Sequence, residues 1–327
     1  MPRTEMEFVN WLRARWPGRM PGLVLGIGDD AALIRVGGGR ELILTTDLSI
    51  EGVHFLRDLH PPLSVGHRAL ARGLSDIAAM GGTPRFALIS LAVSKSANPG
   101  WVEEFYAGVH SLARRNRVPI IGGDTALVSN KSFVDVVVAG EVPAGTALRR
   151  SGARPGDRIF VSGRLGFSAL GLRLLKTRVA ATSSKQAIRA HLYPMPRIEL
   201  GRFLRKKGLA SALMDLSDGL SSDLTRLCQA SGVGAAVWAS KIPKPAATGK
   251  GKLSPTRALD LALNGGEDYE LLFTVPPRKL NRIPARFCSL PLQCIGEIQR
   301  ATKGLSLIEP DGASRPLEPG GWDHFHK

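Results

Sequence analysis

Strand-like and helix-like segments alternate along this chain from one end to the other, and that alternation restricts the fold more than any other feature. Runs rich in β-branched and apolar residues, ELILTTD, FALISLAV, SFVDVVVAGEV, RIFVSG, ALMDLSD, VGAAVWA and YELLFTV, are separated by stretches with helical spacing. Between about Ser64 and Met80 the residues Val65, Ala69, Leu70, Leu74, Ile77 and Ala78 fall on one helical face. Further helices are expected over Glu5 to Arg15, Trp101 to Arg115 and about Phe167 to Leu175. The pattern predicts an α/β chain with mixed α+β sheets and excludes an all-helical or all-β fold. No short-period repeat of the solenoid kind is present. The turn-rich, basic stretch PAGTALRRSGARPGD interrupts the pattern near its middle, so two domains are expected, 1–143 and 144–327. Polar loops are expected from Thr177 to Gln186 and, rich in Pro, Gly and Lys, from Pro243 to Lys252.

A chain of 327 residues with 43% hydrophobic content can bury a substantial core. No apolar run reaches the ~18 residues of a membrane-spanning helix. The opening MPRTEMEFVNWLRARW lacks the apolar centre of a signal peptide, so the expected compartment is the cytoplasm. Cys228, Cys288 and Cys294 are odd in number and show no CxxC spacing, which points away from a disulfide framework or a zinc site and toward buried or incidental thiols. The net charge of +16 invites comparison with nucleic-acid binders, because basic surfaces attract phosphate backbones. The basic residues are scattered, however, with 6% aromatics and no nucleic-acid motif, so nucleic acid is not the expected partner.

Acidic residues recur where the expected strands end and loops begin: Asp29 and Asp30 in GIGDDAAL, Asp47 in LTTDLSIEGVHF, Asp124 in IIGGDT, Asp215 and Asp218 in MDLSDGL, and Glu267 with Asp268 in NGGEDYEL. Asp76 in GLSDIAAMGG is expected on a helix instead. Taken singly, each loop aspartate fits a cap or turn. As a set, clustered carboxylates stay ionised only with cations between them, and hard oxygen ligands with Thr hydroxyls suit Mg²⁺ or Ca²⁺ better than zinc. Mg²⁺ prefers a few carboxylates plus substrate phosphates, which makes a nucleoside polyphosphate the natural ligand. The chain has no GxxxxGK[ST] loop, no HRD/DFG pair and no GxGxxG after its first strands, so a different ATP-binding architecture is required.

The ordered set GIGDDAAL, TTDLSIEGVHF, GLSDIAAMGGTP, GGDT, RSGARPGD, DLSDGL, GGEDYELLF and GWDHF resembles the thiamine-monophosphate kinase family of the aminoimidazole-ribotide-synthetase-like superfamily, over about Gly26 to Phe325. The resemblance implies two α/β domains, a homodimer whose N-terminal sheets form a barrel, and Mg²⁺-dependent transfer of the ATP γ-phosphoryl to thiamine phosphate. It gives residues 1–143 the ATP, Mg²⁺ and dimer contacts and residues 144–327 the completion of both substrate sites. Carried over by residue, Asp30, Thr45, Thr46, Asp47, Asp76, Asp124, Asp215 and Asp218 hold Mg²⁺, while Gly123, Asp124, Arg150 and Ser217 contact ATP. His54, Glu267 and Trp322 meet thiamine phosphate, and Asp47, Asp124 and Arg150 form the catalytic set, with Arg149 a rival to Arg150. The acceptor is itself a phosphate monoester and already anionic at neutral pH, so no general base is required. The rival readings are another ATP-using member of the superfamily and a non-catalytic nucleotide- or nucleic-acid-binding protein. Selenophosphate synthetase is disfavoured because all three cysteines fall after residue 227. The +16 charge and the Lys-rich loop depart from the family pattern.

Overall fold

The computed structural model describes residues 4–15, 20–177, 185–246 and 253–325. Helix α1 (Glu5–Arg15) precedes a six-stranded sheet of β1 (Leu23–Leu25), β2 (Ala32–Gly37), β3 (Arg40–Ile50), β4 (Thr83–Ser94), β5 (Ile120–Val128) and β6 (Phe133–Pro143), in spatial order β1-β2-β3-β6-β4-β5. Its pairs are antiparallel except β4 with β5. Helices α2 (Pro62–Ala79) and α3 (Trp101–Asn116) cover one face of it. Alternation along β6 follows the pleat: Val134, Val136 and Val138 are fully buried toward the helices, whereas Phe133 is 37% exposed on the other face.

The second sheet holds β7 (Arg158–Ser162), β8 (Ala212–Asp215), β9 (Val233–Trp238), β10 (Leu271–Val275), β11 (Arg286–Phe287), β12 (Leu290–Arg300), β13 (Leu305–Ile308) and β14 (Ser314–Pro316). Its order is β14-β13-β9-β12-β7-β10-β8, with β11 paired to β12. Helices α4 (Phe167–Thr177), α5 (Lys185–Leu192), α6 (Ile198–Lys206), α7 (Leu220–Ser231) and α8 (Pro255–Asn264) complete this half. Neighbouring residues of its strands enter different cores. Phe160, Leu213 and Phe273 pack with α2 and α6, whereas Ile159, Val161, Met214 and Leu272 pack with Leu224 and Leu227 of α7. Burial on both faces explains why RIFVS and LLFTV read as unbroken apolar runs rather than alternating ones.

The helix α2 is the element shared by both sheets. Pro62 stands at its first turn, where a missing N–H costs nothing. At its other end Gly81 adopts φ +65°, which lets Gly82 N–H reach the Ile77 carbonyl and close the helix. The six apolar residues named from the sequence are all buried. Of the expected loops, residues 178–184 and 247–252 lie outside the described residues, and Lys185 and Gln186 belong to α5. Cys228 is buried, but Cys288 is exposed. Asp47 and Asp124 sit inside β3 and β5 rather than at strand ends, because both strands run on past the polar residues that suggested a break. Among the described residues no helix is long and apolar enough to cross a membrane.

Candidate active site

The side chains of α2 join the two sheets chemically as well as mechanically. Ser75 Oγ donates to Asp215 Oδ2 at 2.6 Å, at the end of β8, while the next residue, Asp76, accepts from Thr45 Oγ1 of β3. Asp30, in the turn before β2, closes the group: ligand oxygens of Asp30, Asp76 and Asp215 lie within 4.8 Å of one another. Burial, reinforced by mutual repulsion, holds the Asp76 and Asp215 carboxyls well above the usual carboxylate range. Arg150 offsets part of this charge, with Nε and Nη2 reaching Asp30 Oδ1 at 3.0 and 2.6 Å. The other oxygen, Asp30 Oδ2, is buried without a hydrogen-bond partner. A buried acceptor facing two further carboxylates and a Thr hydroxyl is the donor set of a hard divalent cation.

From this cluster a cleft of about 280 Å³ runs between the sheets, lined among others by Asp47, His54, Arg72, Asp76, Arg150, Asp215, Ser217, Asp218, Glu267, Tyr269 and Trp322. Larger hollows of about 630 and 880 Å³ lie elsewhere, away from the three-carboxylate group. Asp218 is held by Arg226 Nη1 at 2.5 Å, and Asp223, whose Oδ2 accepts the Asp218 and Gly219 N–H groups, shares the same guanidinium. Asp47 pairs with Arg72 at 3.2 Å.

The far end of the cleft is organised by a buried cation. Arg68, four residues before Arg72 on α2, donates Nη2 to Glu267 Oε1 and, at 3.0 Å, to the His54 carbonyl. Its Nη1 stands 2.8 Å from His191 Nε2, which also lies 2.9 Å from His60 Nε2, while His191 Nδ1 meets Ser168 Oγ at 2.9 Å. Glu267 adopts φ +65° and Tyr269 φ +50°, a conformation that costs a non-glycine residue about 1–2 kcal/mol, so this turn depends on its side-chain anchors. Desolvation, followed by Arg72, lowers the His54 pKa to about 3; desolvation, followed by Arg68, lowers that of His191 to about 2. His54 is therefore neutral, and because Nδ1 accepts the Ile50 N–H at 3.0 Å, its proton resides on Nε2.

Trp322 is 51% exposed, with its ring edge-on to His324 at 5.7 Å, and its backbone N–H donates to the Asp218 carbonyl at 3.0 Å. The N-terminus of α1 is tied to the same tail through Glu5 N–H and Asp323.

The structure thus gathers Asp30, Thr45, Asp47, His54, Asp76, Arg150, Asp215, Ser217, Asp218, Glu267 and Trp322 around one cleft, with Arg150 rather than Arg149 facing it. Thr46, Gly123 and Asp124 stand apart. Thr46 points to the opposite face of β3, where Oγ1 donates to Asp135 at 2.8 Å. The register places Asp47 opposite Val136, Val136 opposite Ile89 and Ile89 opposite Gly123, about 14 Å away across three strand spacings. A Cβ on Gly123 would lie 1.8 Å from the Ile89 carbonyl oxygen, so the glycine is needed for the β4–β5 contact itself. Arg68, Arg72, His191, Tyr269 and His324 were not singled out from the sequence. Arg68, Arg72, Ser75 and Asp76 nevertheless form a polar stripe at helical spacing on a largely apolar helix, and that signal was available.

Comparison with known proteins follows the same lines. The family model for the AIR synthase related protein, N-terminal domain, matches residues 28–142, and that for the C-terminal domain matches residues 154–305. The chain is 40% identical to the thiamine-monophosphate kinase of Salmonella typhimurium, over 92% of this chain and 91% of the relative. It is 38% identical to the Bacillus subtilis thiamine-monophosphate kinase, over 92% and 93%. The solved structure of AaThiL complexed with AMPPCP and TMP superposes with a TM-score of 0.84 at 34% identity, covering 98% of this chain and 97% of that one.

Proposed function

The chain belongs to the thiamine-monophosphate kinase family of the AIR synthase related proteins, and from that premise we infer that its cleft transfers the γ-phosphoryl of ATP to thiamine phosphate, giving thiamine diphosphate and ADP. The observation that carries this reading is the convergence of Asp30, Asp76 and Asp215 beside Arg150, at one end of a cleft whose other end holds His54, Glu267 and Trp322.

Asp30, Asp76 and Asp215 form the centre of the proposed Mg²⁺ site, with Thr45, Asp47 and Asp218 at its edge. Mg²⁺ supplies there the positive charge that lets two polyanionic phosphates approach. The chain's own residues do the rest. Arg150, locked by Asp30, offers a guanidinium of fixed orientation to the ATP phosphates, beside Ser217. The neutral His54 offers an Nε2–H donor to the acceptor's phosphate without changing its own charge. Glu267 presents a carboxylate held by Arg68 to the cationic, amino-bearing heterocycle, and Trp322 offers an aromatic face to the thiazolium. No residue needs to remove a proton, because the attacking phosphate oxygen is already ionised.

In this proposal residues 1–143 bind nucleotide and cation and form the dimer, residues 144–327 complete both substrate sites, and the enzyme works in the cytoplasm as a homodimer. The uncovered face and edge of the first sheet support the dimer: Ile121 is 58% exposed, Leu127 71% and Leu48 48%. Thr46, Gly123 and Asp124 lie on that side, and their proposed roles belong to the assembled barrel. The test is an acceptor comparison with purified protein and Mg·ATP. Stoichiometric ADP and thiamine diphosphate with thiamine phosphate, and no ADP above background with aminoimidazole-ribotide precursors or selenide, is the expected result. Selective turnover of another acceptor would replace the reading.

A further inference from the structure

Away from the cleft, a concavity of about 880 Å³ opens where the start of β4, the C-terminal end of α3, the N-terminal end of α6 and the β11–β12 turn meet. It shares no lining residue with the cleft. Its wall carries five arginines, Arg85, Arg115, Arg117, Arg197 and Arg202, against a single acid, Glu199. Two of these cations are committed to acids outside the concavity: Arg197 binds Glu270 through Nε at 2.7 Å and through Nη2, and the exposed Arg85 shares Glu141 with Arg40 at the surface. The others are not. Among the described residues, neither Arg115 nor Arg117 has a carboxylate partner. Arg202 gives Nη1 to Glu199 at 2.7 Å, yet its Nε is buried with no acceptor. No side chain caps the first turn of α6, which opens on the same wall, so its leading N–H groups add partial positive charge there.

Like charges gathered this way repel one another, and an anion bound among them relieves that repulsion. Guanidinium forks match phosphate oxygens in pairs. The volume suits a ligand of nucleotide size, whereas an extended nucleic-acid strand would call for stacking platforms along a longer groove, and Phe287 is the one aromatic ring here. We propose that this arginine-lined concavity is a second anion site that takes a small phosphate-bearing molecule, independent of the catalytic cleft and of the reaction assigned to it. It also gives part of the +16 charge a definite place.

The cleft is acidic without divalent cations, so chelator separates the two sites. Inorganic tripolyphosphate is titrated calorimetrically into the full-length protein in EDTA at low salt. The wild type is expected to bind one equivalent, the exposed double variant R115A/R117A to bind about tenfold or more weakly, and R202Q to weaken likewise. Both variants should keep wild-type thiamine phosphate turnover, and D215N should keep wild-type tripolyphosphate binding. Absence of binding by the wild type, or equal binding by R115A/R117A and R202Q, would overturn the proposal. So would loss of binding in D215N, which would place the anion in the cleft. A 20-nucleotide RNA that binds far more tightly than tripolyphosphate and depends on the same arginines would make the surface a nucleic-acid interface instead.

Discussion

Arg68 is the side chain on which the acceptor end of the cleft turns. It is almost completely buried, and its guanidinium is divided among Glu267, the His54 carbonyl and His191. Arg68→Met would leave Glu267 without its cation and the left-handed turn at Glu267 without its anchor. We expect a stability loss on the order of 3 kcal/mol in urea unfolding. We also expect a tenfold or larger rise in the KM for thiamine phosphate with little change in that for ATP; equal effects on both substrates would remove Arg68 from this role. The buried carboxyls make a second prediction. Asp76 and Asp215 keep their protons in the folded, metal-free protein above the ordinary value of 3.8, whereas the unfolded chain releases them. The folded state then binds more protons, so this contribution to stability falls as pH rises above about 4. A bound cation favours the ionised forms, so the Tm increment from Mg²⁺ should be larger at about pH 8 than at about pH 5.5, and the difference should shrink in Asp215→Asn. A pH-independent increment would contradict the cation site. Asp215 was legible in the sequence because MDLSDGL ends a strand-like run in a glycine-containing turn, whereas Asp76, expected on a helix, was marked by the family resemblance. Arg68 and Arg72 are easily passed over despite their helical spacing, because a basic residue on a helix in a chain of charge +16 reads as solvated until its burial is seen.

At the scale of elements, α2 carries the argument, since it places Ser75 against one sheet and Asp76 against the other. Its position is fixed by a close crossing with α3. A Cβ on Gly66 would stand 2.0 Å from the Phe105 carbonyl oxygen, and one on Gly108 would stand 1.9 Å from that of Leu63. Gly66→Ala should therefore destabilise the protein by about 3 kcal/mol and lower kcat through displacement of Asp76, as read by denaturant unfolding and steady-state kinetics. Wild-type values for both would show that the crossing can relax. The helix was legible because its apolar stripe has an unambiguous period. The boundaries of β3 and β5 were harder to read: TTD and GGD resemble strand ends, but Thr45 and Asp47 face the cleft side of β3, Thr46 bonds to Asp135 on its other face, and Asp124 lies on the edge strand β5, so polarity does not interrupt the backbone pairing.

At the scale of the molecule, two sheets sandwich α2, and the site exists only because both contribute acids to it. Strand order was beyond the sequence: β3 pairs with β6 across some ninety residues, and local patterning carries no information about such a pairing. The outer face of the first sheet also bears on assembly. Leu127→Glu should convert a dimer to a monomer in light scattering, and a wild type that is monomeric at about 10 μM would contradict the barrel. The central claim, that carboxylates from both sheets grip a cation which lets two polyanions meet, is tested most directly by following thiamine diphosphate formation from ATP and thiamine phosphate by ³¹P NMR. Wild type and Asp215→Asn are compared with Mg²⁺ and with EDTA. Product with Mg²⁺ alone, and a loss of at least about a hundredfold in the folded variant, is the predicted result; product in EDTA, or undiminished turnover by Asp215→Asn, would contradict it.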